Sequence, residues 1–336
     1  MNNHTSSLES PHFPVMLNEV LHISSPSNGG RYIDCTFGGG GYCKEILKYP
    51  KTNVQALDRD KKALLAANKL EKRFPNRFKF NQIKFSQLDT ISCNNLDVAI
   101  FDLGLSSIQL DDLERGFSFK SRKKLNMTMG LNEISALDVI NNLSEIELKL
   151  VIKILGEEKE ASKIAKNIVK HRKIKKITNT NELVDIIENS KKKIYSSNIN
   201  PCTKTFQALR IFVNKEMSEL IYGLIAATKV LKKNGILAVV TFHSLEDKIV
   251  KYFFKSLSEK KSISRYMPNI NQPETLFRMV EKKPITPSAK ELRENTPSRS
   301  AKLRYVIKKN DFYNFETDIV KKFKTLLDIE NFGEKL

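Results

Sequence analysis

The chain has 336 residues, 40% hydrophobic and 28% charged, which excludes a wholly disordered polymer and, at ~150 residues per domain, sets a prior of about two domains. Thirteen glycines and eleven prolines exclude a collagen-like or Pro/Gly-rich repeat. Fifty-seven Lys and Arg against 38 Asp and Glu leave a formal charge of +19. That balance suits a phosphate-bearing partner, although Lys, Asn and Ile crowd the whole chain and weaken the signal.

The cysteines Cys35, Cys43, Cys93 and Cys202 form no Cys-x-x-Cys, and the scattered histidines complete no zinc spacing, so no metal is expected. Free thiols in a chain this size fit a reducing cytosol. Met1–Pro11 is polar and lacks the basic and apolar regions of a signal peptide. The longest apolar stretch, Ile236–Phe242, is far short of the ~20 residues a bilayer span needs. The expectation is a soluble, cytoplasmic protein that faces nucleic acid and no membrane.

Four strands are expected first, at Arg31–Cys35, Asn53–Leu57, Phe78–Ile83 and Leu96–Phe101. Helical spacing at Tyr42–Lys48 and Lys61–Phe74 separates the early ones. Strand alternating with helix is the pattern of a doubly wound α/β sheet. From about Gln109 to Ile211 the periodicity is almost purely helical, with Ser144–Leu155 stopped by Gly156, then Glu160–His171 and Thr180–Ser190. This predicts a helical domain, 109–211, inserted after the fourth strand of a discontinuous sheet domain, 1–108 and 212–310. A helix over Lys215–Lys232, a strand over Gly235–Thr241 and a helix from Leu245 resume the sheet pattern. Residues 256–302, with Pro268, Pro273, Pro284, Pro287 and Pro297, read as a long surface connection. Leu303–Ile307 is a candidate last strand, and residues 311–336 form a tail with a helix over Ile319–Ile329.

The strongest local signal is Tyr32-Ile33-Asp34-Cys35-Thr36-Phe37-Gly38-Gly39-Gly40-Gly41-Tyr42, a strand running into four glycines and then a helix. Glycines let backbone turn sharply and approach a ligand. Asp58, at the tip of the second strand, can accept hydrogen bonds from two ribose hydroxyls. A dinucleotide loop wants G-x-G-x-x-G, but Cys43 holds the third glycine position. S-adenosylmethionine, which has no pyrophosphate, needs only the close approach. Phe85, after the third strand, reads on its own as a core aromatic. His243-Ser244-Leu245-Glu246-Asp247 holds the residue types of a hydrolase triad, but neighbours in sequence do not make one; Ser244 with Asp247 reads as a helix capping box. His243 stands at the active-site edge beyond the fifth strand, as a substrate neighbour or a loop histidine.

The run Asp97-Val98-Ala99-Ile100-Phe101-Asp102-Leu103-Gly104-Leu105-Ser106-Ser107, continuing through Gln109 to Glu114-Arg115-Gly116-Phe117-Ser118-Phe119, resembles the bacterial S-adenosylmethionine-dependent 16S ribosomal RNA cytosine-N4 methyltransferases. Further blocks match in family order over residues 12 to about 307: His12–Met16, the glycine loop, Thr203–Glu216, Phe242–Val250 and Ser298–Arg304. The resemblance implies a Rossmann-like class I methyltransferase sheet with an inserted helical domain. It implies N4-methylation of a cytidine in the decoding region of 16S ribosomal RNA, the small ribosomal subunit as partner, and a homodimer. Carried over by position, Gly40, Gly41, Tyr42, Asp58, Phe85, Asp102 and Gln109 would contact the cofactor. Phe85 thereby becomes an expected adenine neighbour. Tyr42 stands where the family usually has His. Lys124-Leu125-Asn126-Met127-Thr128-Met129-Gly130 stands for Pro-Leu-Asp-Met-Arg-Met-Asp, with Asn126 for an acid and Thr128 for an arginine.

The cytosine amine is a poor nucleophile, and acceptors that aim its lone pair would serve it without a strong base. Asp102, at the tip of the fourth strand, is the candidate acceptor, or else only a cofactor anchor; His243 is the second catalytic candidate. Lys163, Lys166 and Lys170 share one helical face and, with Arg172 and Arg210, are candidate RNA contacts, against a plain solvated lysine face. A non-catalytic RNA-binding assembly factor would also explain the charge and the Asn126 and Thr128 departures. An NAD-dependent oxidoreductase would share the glycine loop and Asp58 but leave the later blocks unexplained.

Overall fold

The computed structural model describes residues 14–105, 109, 112–118, 123–191, 200–259, 274–310 and 315–336. His12, Phe13, Ser106, Ser107, Phe119, Pro268 and Pro273, all singled out in the sequence, lie outside them. The sheet strands are β1 Gly30–Asp34, β2 Thr52–Leu57, β3 Phe78–Asn81, β4 Leu96–Asp102, β5 Leu231–Thr241, β6 Phe277–Met279 and β7 Lys302–Lys308. They stand in the order β3-β2-β1-β4-β5-β7-β6. The first five are parallel, and β7 runs antiparallel between β5 and β6. Both faces of this sheet are covered, which is why its strands read as nearly continuous apolar runs. Tyr32, Val54, Val98, Ile100 and Val240 pack on one face, while Ile33, Leu57, Ala99, Phe101 and Val239 pack on the other.

The helices are α1 Leu17–Ser24, α2 Gly41–Ile46, α3 Ala63–Arg73, α4 Ala136–Asn142, α5 Glu145–Leu150, α6 Ala161–Ile174, α7 Thr180–Ser190, α8 Thr203–Asn214, α9 Glu216–Val230, α10 Ser244–Ser258, α11 Ala289–Glu294, α12 Glu316–Lys322 and α13 Lys324–Glu330. Helices α4 to α9 lie in the chain between β4 and β5, and Val139, Leu148, Ile164 and Leu209 share one apolar cluster with Phe101 of the sheet. The expected boundary at 211/212 falls inside α8. No helix among the described residues is long and apolar enough to cross a membrane.

Several sequence expectations need correction. The single helix expected over 144–155 is α5 followed by a π turn, Val151–Leu155. The polar stretch after 256 is not all connection, since it supplies α11 and β6, the latter paired to β7 through Phe277↔Lys308. Three residues are too short a window for periodicity to register. The tail helix is two helices, α12 and α13, which meet at Phe323.

The capping box before α10 is also shifted by one residue. His243, not Ser244, is the N-cap: its Nδ1 accepts from Glu246 N–H at 3.4 Å, and Glu246 Oε2 accepts from His243 N–H at 3.2 Å. Asp247 faces the sheet instead, accepting from Arg304 Nε at 2.7 Å and Lys302 Nζ at 3.2 Å. The Ser244 hydroxyl donates to Glu157 rather than to His243, which removes the hydrolase reading.

Candidate active site

Parallel register brings three strand tips to one edge: Asp34 of β1 lies beside Ala56 and Ile100, and Asp102 of β4 beside Val240. Above that edge opens a cavity of about 530 Å³, walled by the glycine loop, Asp58, Phe85, Asp102, Gln109 and the first turns of α9. This is the size of a small-ligand site, in the place where open α/β sheets bind ligands.

The glycine loop is fixed by its own backbone. Gly38 has φ +53, and its N–H donates to Asp58 Oδ2 at 2.7 Å. Asp60 N–H donates to the other oxygen of Asp58 at 2.8 Å. Burial pushes the Asp58 carboxyl up, against those two bonds. Gly39 has nothing within 4 Å of where a Cβ would stand, so the loop presents bare backbone to the cavity there. Gly40, expected as a contact, instead turns the chain at φ +75, with its Cβ position 2.7 Å from the Phe37 ring. Gly38, Gly39 and Gly41 line the cavity. Of the residues expected to meet the cofactor in this loop, Gly41 and Tyr42 line the cavity and Gly40 turns the chain beside it.

Gly41 and Tyr42 hold the segment from Pro14 over that loop. A Cβ on Gly41 would stand 2.4 Å from Pro14 Cγ. The buried Tyr42 hydroxyl donates to the Val15 carbonyl. Tyr42 also lines the cavity, and burial keeps its phenol protonated.

Asp102 is the acid on the cavity floor, and Asp34 lies fully buried beneath it, close enough for its charge to act on Asp102. Asp34 is fully buried and accepts from Thr36 N–H at 3.0 Å and the Cys43 thiol at 3.2 Å. Cys43, the residue that breaks the dinucleotide pattern, is therefore a donor to the buried acid behind the floor. Burial pushes the Asp34 carboxyl up to about 6. Asp102 N–H donates to Thr36 Oγ1 at 2.7 Å, and Asp102 Oδ1 is buried without a hydrogen-bond partner among the described residues. Burial, with the charges of Asp34, Glu246 and Glu291, holds the Asp102 carboxyl well above the usual carboxylate range. An orphaned buried acceptor is costly unless a ligand satisfies it.

Phe85 packs edge-on against Phe101, with ring centroids 5.4 Å apart. Gly223 of α9 gives it room, since a Cβ there would stand 2.5 Å from Phe85 Cδ2. Phe85 therefore has its back to the core and also borders the cavity. Gln109 borders it too, and its amide donates to Asp60 Oδ2 at 3.0 Å. Arg115 joins Asp60 at 2.6 Å and also donates to the Thr128 carbonyl. Burial opposes the Asp60 charge, but Gln109 and Arg115 outweigh it and hold the carboxyl low.

The loop with the unusual residues is anchored by backbone rather than by the substituted side chains. Asn126 is exposed and accepts from Thr128 N–H at 3.1 Å. Gly130, at φ +81, approaches the Arg59 carbonyl so closely that a Cβ would stand 2.0 Å from it. Asn214 accepts from Met129 N–H at 2.8 Å and donates to the Met127 carbonyl at 2.8 Å.

Glu216, Glu219 and Glu246 also line the cavity, and none was singled out from sequence. Arg210, expected to meet RNA, gives both arms of its guanidinium to Glu216, at 2.8 Å each. His243 Nε2 lies 3.0 Å from Glu246 Oε1 but off a hydrogen-bonding line, so it is buried and free of a hydrogen bond among the described residues. Ligand atoms of Glu216, His243 and Glu246 lie within 4.8 Å of one another. Arg210 already neutralises one of the two carboxylates, and His243 Nε2 stands against the other.

On the inserted helices, Lys163, Lys166 and Lys170 are exposed on α6, opposite the buried Ile164 and Ile168. None of the three has an ion-pair partner among the described residues. Arg172 is spent differently: it donates to the Ile140 carbonyl at 2.6 Å and to the Leu143 carbonyl, closing the end of α4. Arg172 and Arg210 are therefore both engaged within the fold, and for Arg210 a fold-stabilising role was the alternative its sequence block also offered.

A sheet ordered 3-2-1-4-5-7-6 with its antiparallel seventh strand, and a glycine loop and acidic tips at its carboxyl edge, defines a Rossmann-like methyltransferase whose cofactor is S-adenosylmethionine. The chain belongs to the MraW methylase family, which it matches over residues 9–309. It is 42% identical over 303 residues to ribosomal RNA small subunit methyltransferase H of Ehrlichia ruminantium, covering 88% of this chain and 99% of that one. It is 44% identical over 297 residues to the protein of that name from Bartonella bacilliformis, covering 88% and 89%. Among solved structures, an rRNA methylase from Streptococcus thermophilus aligns at 9% identity and a TM-score of 0.38, covering 91% of this chain and 100% of that one.

Proposed function

We propose that this protein methylates the N4 amine of a cytidine in the decoding region of 16S ribosomal RNA, in the cytoplasm, with S-adenosylmethionine as donor. The observation that carries the site assignment is the buried, unpartnered Asp102 Oδ1 on the floor of a cavity ringed by Asp58, Glu216, Glu219 and Glu246. Such a floor suits a ligand that brings both positive charge and N–H donors. The family membership and the names of the relatives supply the RNA substrate.

When bound, S-adenosylmethionine supplies an electrophilic methyl group on a positively charged sulfur. Asp58 would receive the ribose hydroxyls and Phe85 would flank the adenine. Asp102 Oδ1 would accept an N–H of the amine, directing the nitrogen lone pair toward the methyl group, stabilising charge that develops there and receiving the proton the nitrogen loses once methylated, on its way to water. His243, the second catalytic candidate, would act through Glu246 of the cavity wall, whose Oε1 lies 3.0 Å from its Nε2. The target nucleotide must be unstacked to reach such a recess. The helical segment 109–211 would hold the surrounding RNA, with Lys163, Lys166 and Lys170 along phosphates.

The test is digestion and mass spectrometry of ribosomal RNA from a strain lacking this protein. Loss of one N4-methylated cytidine from the small-subunit RNA is the expected result. An unchanged modification pattern contradicts the proposal and favours a non-catalytic role.

A further inference from the structure

We infer that Glu330, in the C-terminal segment beyond the family's matched residues 9–309, is a positioning residue for the cofactor cavity. Helix α9 begins without a cap of its own: Lys215 precedes it in a left-handed conformation, φ 48 and ψ 41, and its side chain makes no capping bond. The first N–H groups of such a helix need acceptors. Glu330, at the end of α13 and fully buried, supplies them. It accepts from Met217 N–H at 2.9 Å, from Ser218 N–H at 2.8 Å and from the Ser218 hydroxyl. A carboxylate at a helix N-terminus is also favoured by the helix dipole.

The residues that follow wall the cavity. Glu216 opens α9 and holds Arg210; Glu219 and Leu220 line the cavity one turn on; Gly223 seats Phe85. The tail grips the same junction twice more. Lys215 Nζ donates to Glu334 Oε1 at 2.9 Å, and the Cβ position of Gly333 lies 3.6 Å from the ring of Phe212, two residues before the end of α8. A segment that reads from sequence as an appendage is thus the cap of the helix that shapes one cavity wall.

The inference rests on the cavity being the S-adenosylmethionine site, and the experiment separates the two. The full chain and its Glu330→Ala and Glu330→Gln variants are titrated with S-adenosylhomocysteine and assayed for KM of S-adenosylmethionine, KM of RNA and kcat. Glu330→Ala is expected to weaken cofactor affinity about 10-fold, the loss of a charged cap, with KM for RNA unchanged. Glu330→Gln keeps one acceptor and recovers part of that loss. Should Glu330→Ala not fold, Glu330→Gln and Ser218→Ala carry the comparison, each with a few-fold loss. Unchanged affinity in the folded variants, or equal loss in both KM values and kcat, overturns the inference. Failure of the unaltered chain to bind S-adenosylhomocysteine overturns the cofactor reading itself, and this inference with it.

Discussion

The carboxyl edge of the sheet and the exposed face of α6 present two kinds of site in one molecule. At the sheet edge the functional groups are withdrawn from solvent and held by hydrogen bonds: Gly38 N–H to Asp58, Asp102 N–H to Thr36, the Cys43 thiol to Asp34. On α6 Lys163, Lys166 and Lys170 are exposed and without ion pairs among the described residues, while Arg172, a few residues on, is absorbed into the fold. Charge density in a sequence therefore does not sort binding cations from structural ones. A guanidinium that can reach orphaned carbonyls becomes a helix cap, whereas an ammonium on the outer face of a helix stays solvated.

The comparison is broken most severely at the sheet edge. Asp102→Asn is expected to cut methyl transfer by roughly 10²–10³-fold, the scale of losing one electrostatic partner of a transition state, with affinity for S-adenosylhomocysteine held within a few-fold. Full turnover with weakened cofactor binding would leave Asp102 as an anchor only. Asp58→Ala should weaken cofactor binding by about 100-fold, since charged hydrogen bonds to two hydroxyls and the tie to Gly38 go together. Calorimetric titration reads this directly.

Gly223→Ala comes next. Its Cβ would stand 2.5 Å from Phe85, so the ring must move toward the cavity. We expect about a 10-fold rise in KM for S-adenosylmethionine, on the scale of an overpacked contact, with kcat preserved. The acidic floor adds a pH signature. Asp34, beneath that floor, sits at about 6, and burial and neighbouring carboxylates raise Asp102 as well. Each binds a proton as pH falls through its raised range and then ceases to attract a cation. Affinity for S-adenosylmethionine should therefore fall as pH drops through about 6, while affinity for the uncharged thioether, S-adenosylhomocysteine, falls less. Identical pH profiles for the two ligands would remove the floor from the account.

The smallest effects belong to α6. Replacing Lys163, Lys166 and Lys170 with Gln should lower the salt slope of RNA binding by about two, at roughly 0.7 per single-stranded phosphate contact, with little change in melting temperature. Arg172→Gln should do the reverse, costing about 2 kcal/mol of stability and leaving the slope alone. An unchanged slope in the lysine variant would assign that face to plain solvent.

What could be read from the sequence follows the same division. The strands, the glycine loop and Asp58 were legible because each is set by neighbours a few residues away. Phe85 needed the family resemblance, since an aromatic after a strand reads equally well as core, and here it borders both core and cavity. Glu216, Glu219 and Glu246 went unnoticed. Acids in a helix's first turn look like ordinary dipole partners until the fold shows which wall they form. Four consecutive glycines do not reveal which of them turns the chain, as Gly40 does, and which present bare backbone to the cavity, as Gly39 does. Glu330 carried no local signal, for its partners at Met217 and Ser218 are more than a hundred residues away.

The most direct test of the central claim is a crystal structure of the full chain with S-adenosylhomocysteine. The account predicts the ribose on Asp58, the adenine beside Phe85 and the sulfur directed at Asp102. A nucleoside bound away from the tips of β1, β2 and β4 would contradict it.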